Sequence, residues 1–380
     1  MKVTRAVCIW SAIIVVTLAV TILFGGSPHA LYALDPDQAG ALAGGAMLMG
    51  ITLEEKWPTL LDVANRLDPN GNVTTVAEIL TPVEEILDDI PFYECNDGTG
   101  HKTTVRTGIP LPTFRKLYGG VQPGKSTTAN VRHGTGMMEH YAEIDVALAQ
   151  MAANPQAWRL SEEKPFIQGF AKKIAATLFY GNEKVQAESF TGFSSFYSTF
   201  SAESGENIVE GGGVASNNTS IWLVGWGVDT NHGLYPRGSK AGLTITDKGQ
   251  VTKENIDGQG GMAEMFRTHY RWDAGLAVRN WKACVRIANV DLSTLNTVDN
   301  LKNLITLMIE ASERIDVPGG AGRLAFYCNR QVRTKLRLAI LEKIGMNLTN
   351  ETVAGKRVLV FDDIPVRRCD SLLNTEARVV

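Results

Sequence analysis

Two strand-like segments, HKTTVRTG (101–108) and ANVRHGTGMMEHYAEIDVAL (129–148), bracket a stretch that nothing else in the chain is equipped to cover. Both have the β-branched and alternating character of strands. Between them fall Pro110, Pro112, Gly119, Gly120, Pro123 and Gly124, residues that punctuate a chain rather than pack it. A loop of this length inside a compact domain is uncommon unless it has a job. An isolated two-stranded ribbon is marginal in water, so a long one needs a surface to lie against. The chain offers no obvious cover of its own; a neighbouring subunit would.

The segments around the ribbon tell two different stories. Upstream, WPTLLDVANRLDPNG (57–71) reads as a short helix closed by a turn, and VAEILTPVEEILDDI (76–90) aligns Ile79, Val83, Ile86 and Leu87 on one stripe, with Pro82 as a break. Such short pieces in series bury themselves poorly and read as an arm lying on something else. Downstream, SEEKPFIQGFAKKIAATLFYGN (161–182) is the clearest helix. Ser161 is the expected cap, Pro165 falls in the expected first turn and Gly181 in the stop position. Phe166, Phe170, Ile174 and Leu178, with Ile167 and Ala171 beside them, form its apolar stripe.

From 190 to 290 strands and turns dominate, with IWLVGWG (221–227) and GLAVRNWKACVRIANV (275–290) the strongest strands. A helix at 299–315 keeps Leu301, Leu304, Ile305, Met308, Ile309 and Ser312 in register. A strand at 323–329, a helix around 330–344 and a strand at 357–361 follow. There is no internal repeat, and the class is α+β.

Composition excludes some functions. The chain has 380 residues, 44% hydrophobic and 20% charged, with a net charge of −3, so a broad basic face for gripping nucleic acid is not expected. Its five cysteines (Cys8, Cys95, Cys284, Cys328, Cys369) form neither a C-x-x-C pair nor a Cys/His cluster, which leaves zinc and disulfide frameworks unsupported. The run AVCIWSAIIVVTLAVTILF (6–24) stands apart, long enough to cross a bilayer core. It reads either as a membrane or export segment, or as the product of a mistaken start, with translation beginning at Met47 or Met49 instead.

Chemistry-bearing motifs are few. GGVQPGKS (119–126) satisfies G-x-x-x-x-G-K-[ST], and VLVFDD (358–363) could pose as its partner, with Asp362 near magnesium. A phosphate loop needs a buried strand before it and a helix after it. PTFRKLY (112–118) and TTANVRHG (127–134) offer neither, so a Lys125-dependent nucleoside-triphosphatase is the weaker alternative. Asp229, His232 and Ser220 or Ser239 lack a nucleophile elbow. His101, His133 and His140 have no ligand spacing and are expected as exposed strand residues. Asn218 and Asn347 begin glycosylation patterns of the kind that arise by chance. Trp222, Trp226, Trp272 and Trp281 read as core or interface aromatics. Arg237 and Lys240 are either solvated turn charges or intersubunit partners.

Many strings in one order resemble the major capsid protein of tailed bacteriophages, closest to a subset from short-tailed phages. They include TLLDVANRLDPNGN (59–72), GHKTTVRTGIPLPTFR (100–115), GVQPGKSTT (120–128), TLFYGN (177–182), FTGF (190–193) and NNTSIWLVGWG (217–227). HGLYPRGSKAGL (232–243), RWDAGLAVRNWKACVRIANVD (271–291) and DSLLNTEARVV (370–380) continue the series. The resemblance implies the Johnson capsid fold, with a strand order that is permuted relative to the commoner one. It implies an N-arm at 47–95, an extended loop at 96–145, a peripheral domain at 146–298 with a spine helix at 161–181, and an axial domain at 299–380. Residues 1–46 are then a hydrophobic extension that a capsid subunit should not need, which favours the later start.

The implied function is structural and not enzymatic. The subunit would self-assemble, as hexamers and pentamers, into an icosahedral shell that encloses double-stranded DNA without binding it specifically. It would take no cofactor and no metal. Scaffolding, portal and decoration proteins are the implied partners, with no membrane if residues 1–46 are absent. The implied location is the virion, and the host cytoplasm during assembly. Arg106, Arg115, Lys116, Lys125, Arg237 and Lys240 are the candidate intersubunit contacts. Encapsulin nanocompartments share the fold but enclose cargo, and the string matches favour the phage protein. A membrane-anchored or exported binding protein is the remaining alternative.

Overall fold

Residues 218–226 are buried on both faces, and the rest of the chain is arranged around them. The computed structural model describes residues 84–380 apart from 99, 153, 215–216, 256–258, 316–321, 342–347 and 354–355. The helix expected at 57–71 and the apolar run at 6–24 lie outside the described residues. All described residues belong to one compact unit.

In chain order, a single turn α1 (Ile86–Asp89) leads to the short strand β1 (Phe92–Glu94). The ribbon follows as β2 (His101–Gly108) and β3 (Thr127–His133), and past Gly134 the chain continues as β4 (Thr135–Asp145). A short helix α2 (Val146–Gln150) precedes the long α3 (Pro155–Tyr180) and the single turn α4 (Phe193–Phe196). Next come β5 (Ile208–Glu210), β6 (Asn218–Trp226), β7 (Asn231–Tyr235), β8 (Thr244–Lys253), β9 (Ala263–Val278) and β10 (Cys284–Asp291). The last part comprises α5 (Val298–Glu313), β11 (Arg323–Cys328), α6 (Arg330–Leu341), β12 (Leu348–Val353), β13 (Lys356–Phe361) and β14 (Ile364–Arg368).

Twelve strands join in one sheet that runs β12–β13–β14–β11–β6–β7–β9–β4, with β10 also on β6, β5 on β10, β1 on β7 and β8 on β9. Strand period 2 explains why β6 can serve two cores at once. Trp222, Val224 and Trp226 share one core with Ile174, Leu178 and Phe179 of α3 and with Phe193. Ile221 and Leu223 share the other with Leu301, Leu304 and Met308 of α5 and with Val332 and Leu336 of α6. Each such large side chain, fully buried, contributes roughly 1.5–3 kcal/mol. A strand covered on both faces reads as a continuous apolar run, which is what SIWLVGW is.

The segment before the ribbon is tied down by its acids. Buried Asp89 meets Arg323 at 2.6 Å, Arg367 at 3.1 Å and the Tyr327 hydroxyl at 2.9 Å. Glu85 takes Arg333 at 3.1 Å and the backbone N–H of Arg368 at 3.0 Å. Glu84 accepts from Ser371 Oγ at 2.6 Å and Cys369 Sγ at 2.7 Å; burial pushes its carboxyl above the usual range.

Three sequence expectations shift. The long helix begins at Pro155, not 161: Asn154 caps it through a 3.1 Å bond from the Ala157 N–H, and Pro165 lies inside it. An internal proline costs about 3 kcal/mol. Trp158, fully buried with Ile144, Leu148 and Ala149, holds the extra turns in place. Gly181 does end this helix, but with φ −57° rather than in a left-handed conformation. A β-carbon there would lie 2.3 Å from the Phe190 carbonyl oxygen and 2.6 Å from that of Thr177, so closeness, not handedness, demands glycine. Ile167 is exposed, and the apolar stripe extends instead through Ala175 and Phe179.

The expected strand 275–290 is two strands parted by a turn in which Asn280 Oδ1 accepts from the Lys282 N–H at 3.0 Å. The expected strand 129–148 likewise breaks at Gly134, where pairing passes from β2 to β9. Helix α5 starts one residue early, capped by Thr297, and keeps Leu301, Leu304, Ile305 and Met308 buried as expected, although Ile309 is exposed.

Candidate assembly surfaces

The ribbon pairs only with itself. β2 and β3 run antiparallel from His101 opposite His133 to Gly108 opposite Thr127, and they form a sheet separate from the main one. Most of their side chains are exposed, and Thr103 and His133 near the root are the buried exceptions. Beyond them, residues 109–126 form no helix and no strand. This tip carries Ile109, Leu111, Phe114, Leu117, Tyr118 and Val121, all exposed; Leu111 and Leu117 retain 86% and 88% of their accessible surface. Scattered exposed apolar residues are ordinary, whereas here six fall on one short segment. From Ile109 to Ser126 the tip holds Arg115, Lys116 and Lys125 and no acid, so it is apolar and cationic together.

An apolar groove of about 610 Å³ lies on the far side of Gly134, between β4 and α3. Met137 and Met138 form one wall and Pro165, Phe166 and Phe170 the other. Phe166 stacks on Tyr270, with ring centroids 5.7 Å apart, and meets His140 edge-on at 4.8 Å. Among the lining residues, Phe166 of α3 is only half-buried although it was expected on the buried stripe, and Met137 of β4 is exposed.

A second concavity, about 380 Å³, is lined by the 236–242 loop with Arg271 and Asp273. Ser239 Oγ donates to Asp273 Oδ2 at 2.7 Å, and the Gly238 N–H donates to Glu94 at 2.9 Å, which fastens the loop. Arg271 sits 2.9 Å from Asp273, whose hydrogen bond and charge raise the guanidinium pKa. Arg237 and Lys240 line the same concavity and are exposed.

The candidate contact residues thus fall into two groups. Arg106, Arg115, Lys116 and Lys125 lie exposed on the ribbon and its tip, and Arg237 and Lys240 on the 236–242 loop. None of the six joins an ion pair among the described residues. The stretch 119–126 has coil before it and β3 after it, so no helix N-terminus faces it. Asp362 and Asp363, with φ of 43° and 66°, make the tight turn between β13 and β14. Ser220 is buried beside Arg286 and Glu376, Ser239 holds Asp273, and Asp229 pairs with Arg279 at 3.2 Å, so the residues of the hydrolytic trio do not meet His232. Asn218 is fully buried in β6, where a glycan could not be accommodated.

Two features were missed in the sequence. His133 is buried, contrary to the expectation of an exposed strand residue, because β3 turns into the sheet at its last position. The groove between β4 and α3 is a product of the fold, and only the surplus of apolar residues at Met137, Met138 and Phe166 hinted at it. Among the described residues no three histidine, cysteine or acidic groups sit in metal-binding reach, and no helix is long and apolar enough to cross a membrane.

None of the curated proteins matches the chain. Among solved structures, the capsid of bacteriophage Epsilon15 superposes with a TM-score of 0.69 at 34% identity, covering 86% of this chain and 98% of that one. The bacteriophage JBD30 capsid follows at 10% identity and TM-score 0.42, covering 89% and 99% of the two chains. The encapsulin complex of Synechococcus elongatus is 13% identical with TM-score 0.39, covering 62% and 97%. Residues 68–380 match the family described as major capsid protein GP7, a span that includes the ribbon, the long helix and every strand of the large sheet. The fold is accordingly the Johnson capsid fold of tailed phages, and the chain belongs to the major capsid protein GP7 family.

Proposed function

We propose that this shell subunit builds hexamers and pentamers and that the ribbon tip of each copy docks on a neighbouring copy, in the groove between β4 and α3. The observation that carries the proposal is the exposure of six apolar side chains between Ile109 and Val121. The tip cannot reach its own groove. The ribbon extends seven residues of β3 away from Gly134, about 23 Å at 3.3 Å per residue, whereas Met137 begins the groove on the other side of that glycine. Phe114 and Tyr118 alone bring on the order of 300–500 Å² of aromatic surface, and the methionine wall adapts to such guests. Arg106, Arg115, Lys116 and Lys125 then lie at the rim of the contact, and Arg237 and Lys240 offer a second cationic edge to another copy.

In this reading residues 47–95 act as the N-arm, 96–145 as the extended loop, 146–298 as the peripheral domain and 299–380 as the axial domain. The shell encloses double-stranded DNA without gripping it, as a net charge of −3 favours. Assembly takes place in the host cytoplasm, with scaffolding, portal and decoration proteins as partners. The test is the full chain with Phe114→Asp and Tyr118→Asp, compared with the parent by electron microscopy and light scattering. The expected result is a folded subunit that forms no shells; shells at parental yield would overturn the docking proposal.

A further inference from the structure

Three of the six histidines in the chain meet at the root of the ribbon. His101 opens β2, His133 closes β3, and the two stand opposite each other in the ribbon register. His232, on β7 of the main sheet, lies edge-on to His101 with ring centroids 5.8 Å apart, and edge-on to Tyr93 of β1 at 5.1 Å. His133 and His232 are buried, and the Nδ1 of His232 has no hydrogen-bond partner. Ribbon and sheet are therefore joined through imidazole contacts at this point.

We propose that His101, His133 and His232 form a latch that holds the ribbon root on the sheet while all three rings are neutral and lets the root go when they take up protons. The hydrogen bonds of His101 and His133 suit neutral rings, whereas the Gly227 backbone favours a charged His232 and is outweighed by burial. The Asn96 N–H approaches His101 Nδ1 at 3.4 Å, which requires a lone pair on that nitrogen. His133 Nε2 lies 3.4 Å from Thr103 Oγ1, and the Phe196 ring of α4 is 6.3 Å away, so the far side of His133 is apolar. A second charged imidazole could not be offset here.

The charged groups around the latch are few. Arg279, just past β9, lowers the proton affinity of all three histidines; it is itself held by Asp229 at 3.2 Å and the Val228 carbonyl at 2.8 Å. Asp229 is the one acid that favours a charged His232, and burial outweighs it. Arg132 lies on β3 beside Gly100, and Glu183 sits beside Gly134 at the end of the ribbon. On β1 the uncharged Tyr93 ring faces the site.

The sign follows from burial. Desolvation, helped by the neighbouring positive groups, holds His133 down to about 4, and desolvation holds His232 to about 4 against the opposing Gly227 hydrogen bond and Asp229 charge; the ordinary value is 6.5. His101 is lowered for the same first reason. A released root returns the rings to water and restores ordinary proton affinity. The latch is thus complete above pH ~6.5 and weakens as pH falls toward 4. At pH 5 each buried ring shifts the balance toward release by about 30-fold.

The test is hydrogen exchange of the full chain at pH 7.5 and 5.0, read by mass spectrometry and corrected for the intrinsic rate. The expected result is that amides in 93–104 and 131–136 lose protection at least 10-fold at pH 5.0 while those of β6 and β10 do not. In the His133→Gln, His232→Gln chain this pH difference should vanish, whereas His140→Gln should leave it intact. If the double variant does not fold, His101→Gln, at the least buried of the three positions, replaces it and should reduce the difference. The latch is overturned if root protection is the same at both pH values, if it falls only together with that of β6, or if the histidine variants keep the full difference.

Discussion

Glu376 joins the C-terminal segment to a buried ionic cluster, and its removal tests how that segment is held. Its carboxylate lies 2.8 Å from Arg286 Nη2 and also accepts from Ser220 Oγ and Tyr180 OH, with both ion-pair partners 5% exposed. Arg286 in turn lies over Trp222 at 5.0 Å and donates to the Tyr197 carbonyl at 2.8 Å. In Glu376→Ala the guanidinium stays buried without its counter-charge and two hydroxyls lose their acceptor, which costs about 3–5 kcal/mol. Glu376→Gln keeps the shape and one acceptor oxygen, and should cost about half as much. The double change Arg286→Met, Glu376→Leu removes both charges and should recover the part of the loss due to the unpaired guanidinium, while the Ser220 and Tyr180 hydroxyls and the Tyr197 carbonyl are left without these partners. Urea unfolding of the unassembled full chain measures all three. Equal losses for Glu376→Ala and the double variant, or a loss below about 1 kcal/mol for Glu376→Ala, would refute the reasoning.

Two further outcomes follow from the packing. Gly181→Ala forces a β-carbon onto the Phe190 and Thr177 carbonyl oxygens and should lower stability by about 2–3 kcal/mol, as thermal unfolding would record; an unchanged Tm would mean that the 181–192 segment moves freely. The thiols of Cys95, Cys284, Cys328 and Cys369 are buried, and burial pushes all four up, Cys95 to about 11 and Cys328 to about 12. At pH 7.5 iodoacetamide should therefore leave these four unlabelled in the native chain and label them in urea, as peptide masses would show.

Local pattern and long-range geometry were unequally legible in the sequence. β2 was readable at both ends because alternating Thr, Val and Arg stop at a glycine, and the buried stripe of α5 because its period is clean. The start of α3 was not, since two cap-and-proline patterns compete: Asn154–Pro155 and Ser161 with Pro165. Packing of Trp158 decides for the first, and a tryptophan's destination cannot be read from its neighbours. Gly181 was placed correctly for a different reason, because a stop signal looks the same whether handedness or crowding enforces it. Arg106, Arg115, Lys116 and Lys125 could be assigned to the ribbon from the sequence alone. His101, His133 and His232 could not be grouped, because the register of β2 on β3 and the position of β7 bring them together.

The division between covered and uncovered parts has a consequence for assembly. The sheet around β6 is closed over by helices on both faces, so each subunit reaches its folded core without help. The ribbon has no such cover. In the proposed docking, one tip in one groove would join two copies through a single narrow segment, with loss of a whole subunit's translational freedom. A ring in which every copy both gives a tip and receives one gains a second contact per subunit without a second loss of translational freedom, and the contacts reinforce one another. Weak donors on self-sufficient bodies favour closed rings over open chains and let a wrongly seated copy leave. A ribbon made stickier, for example by Lys116→Leu, should trap irregular aggregates for that reason, even though each individual contact would be tighter.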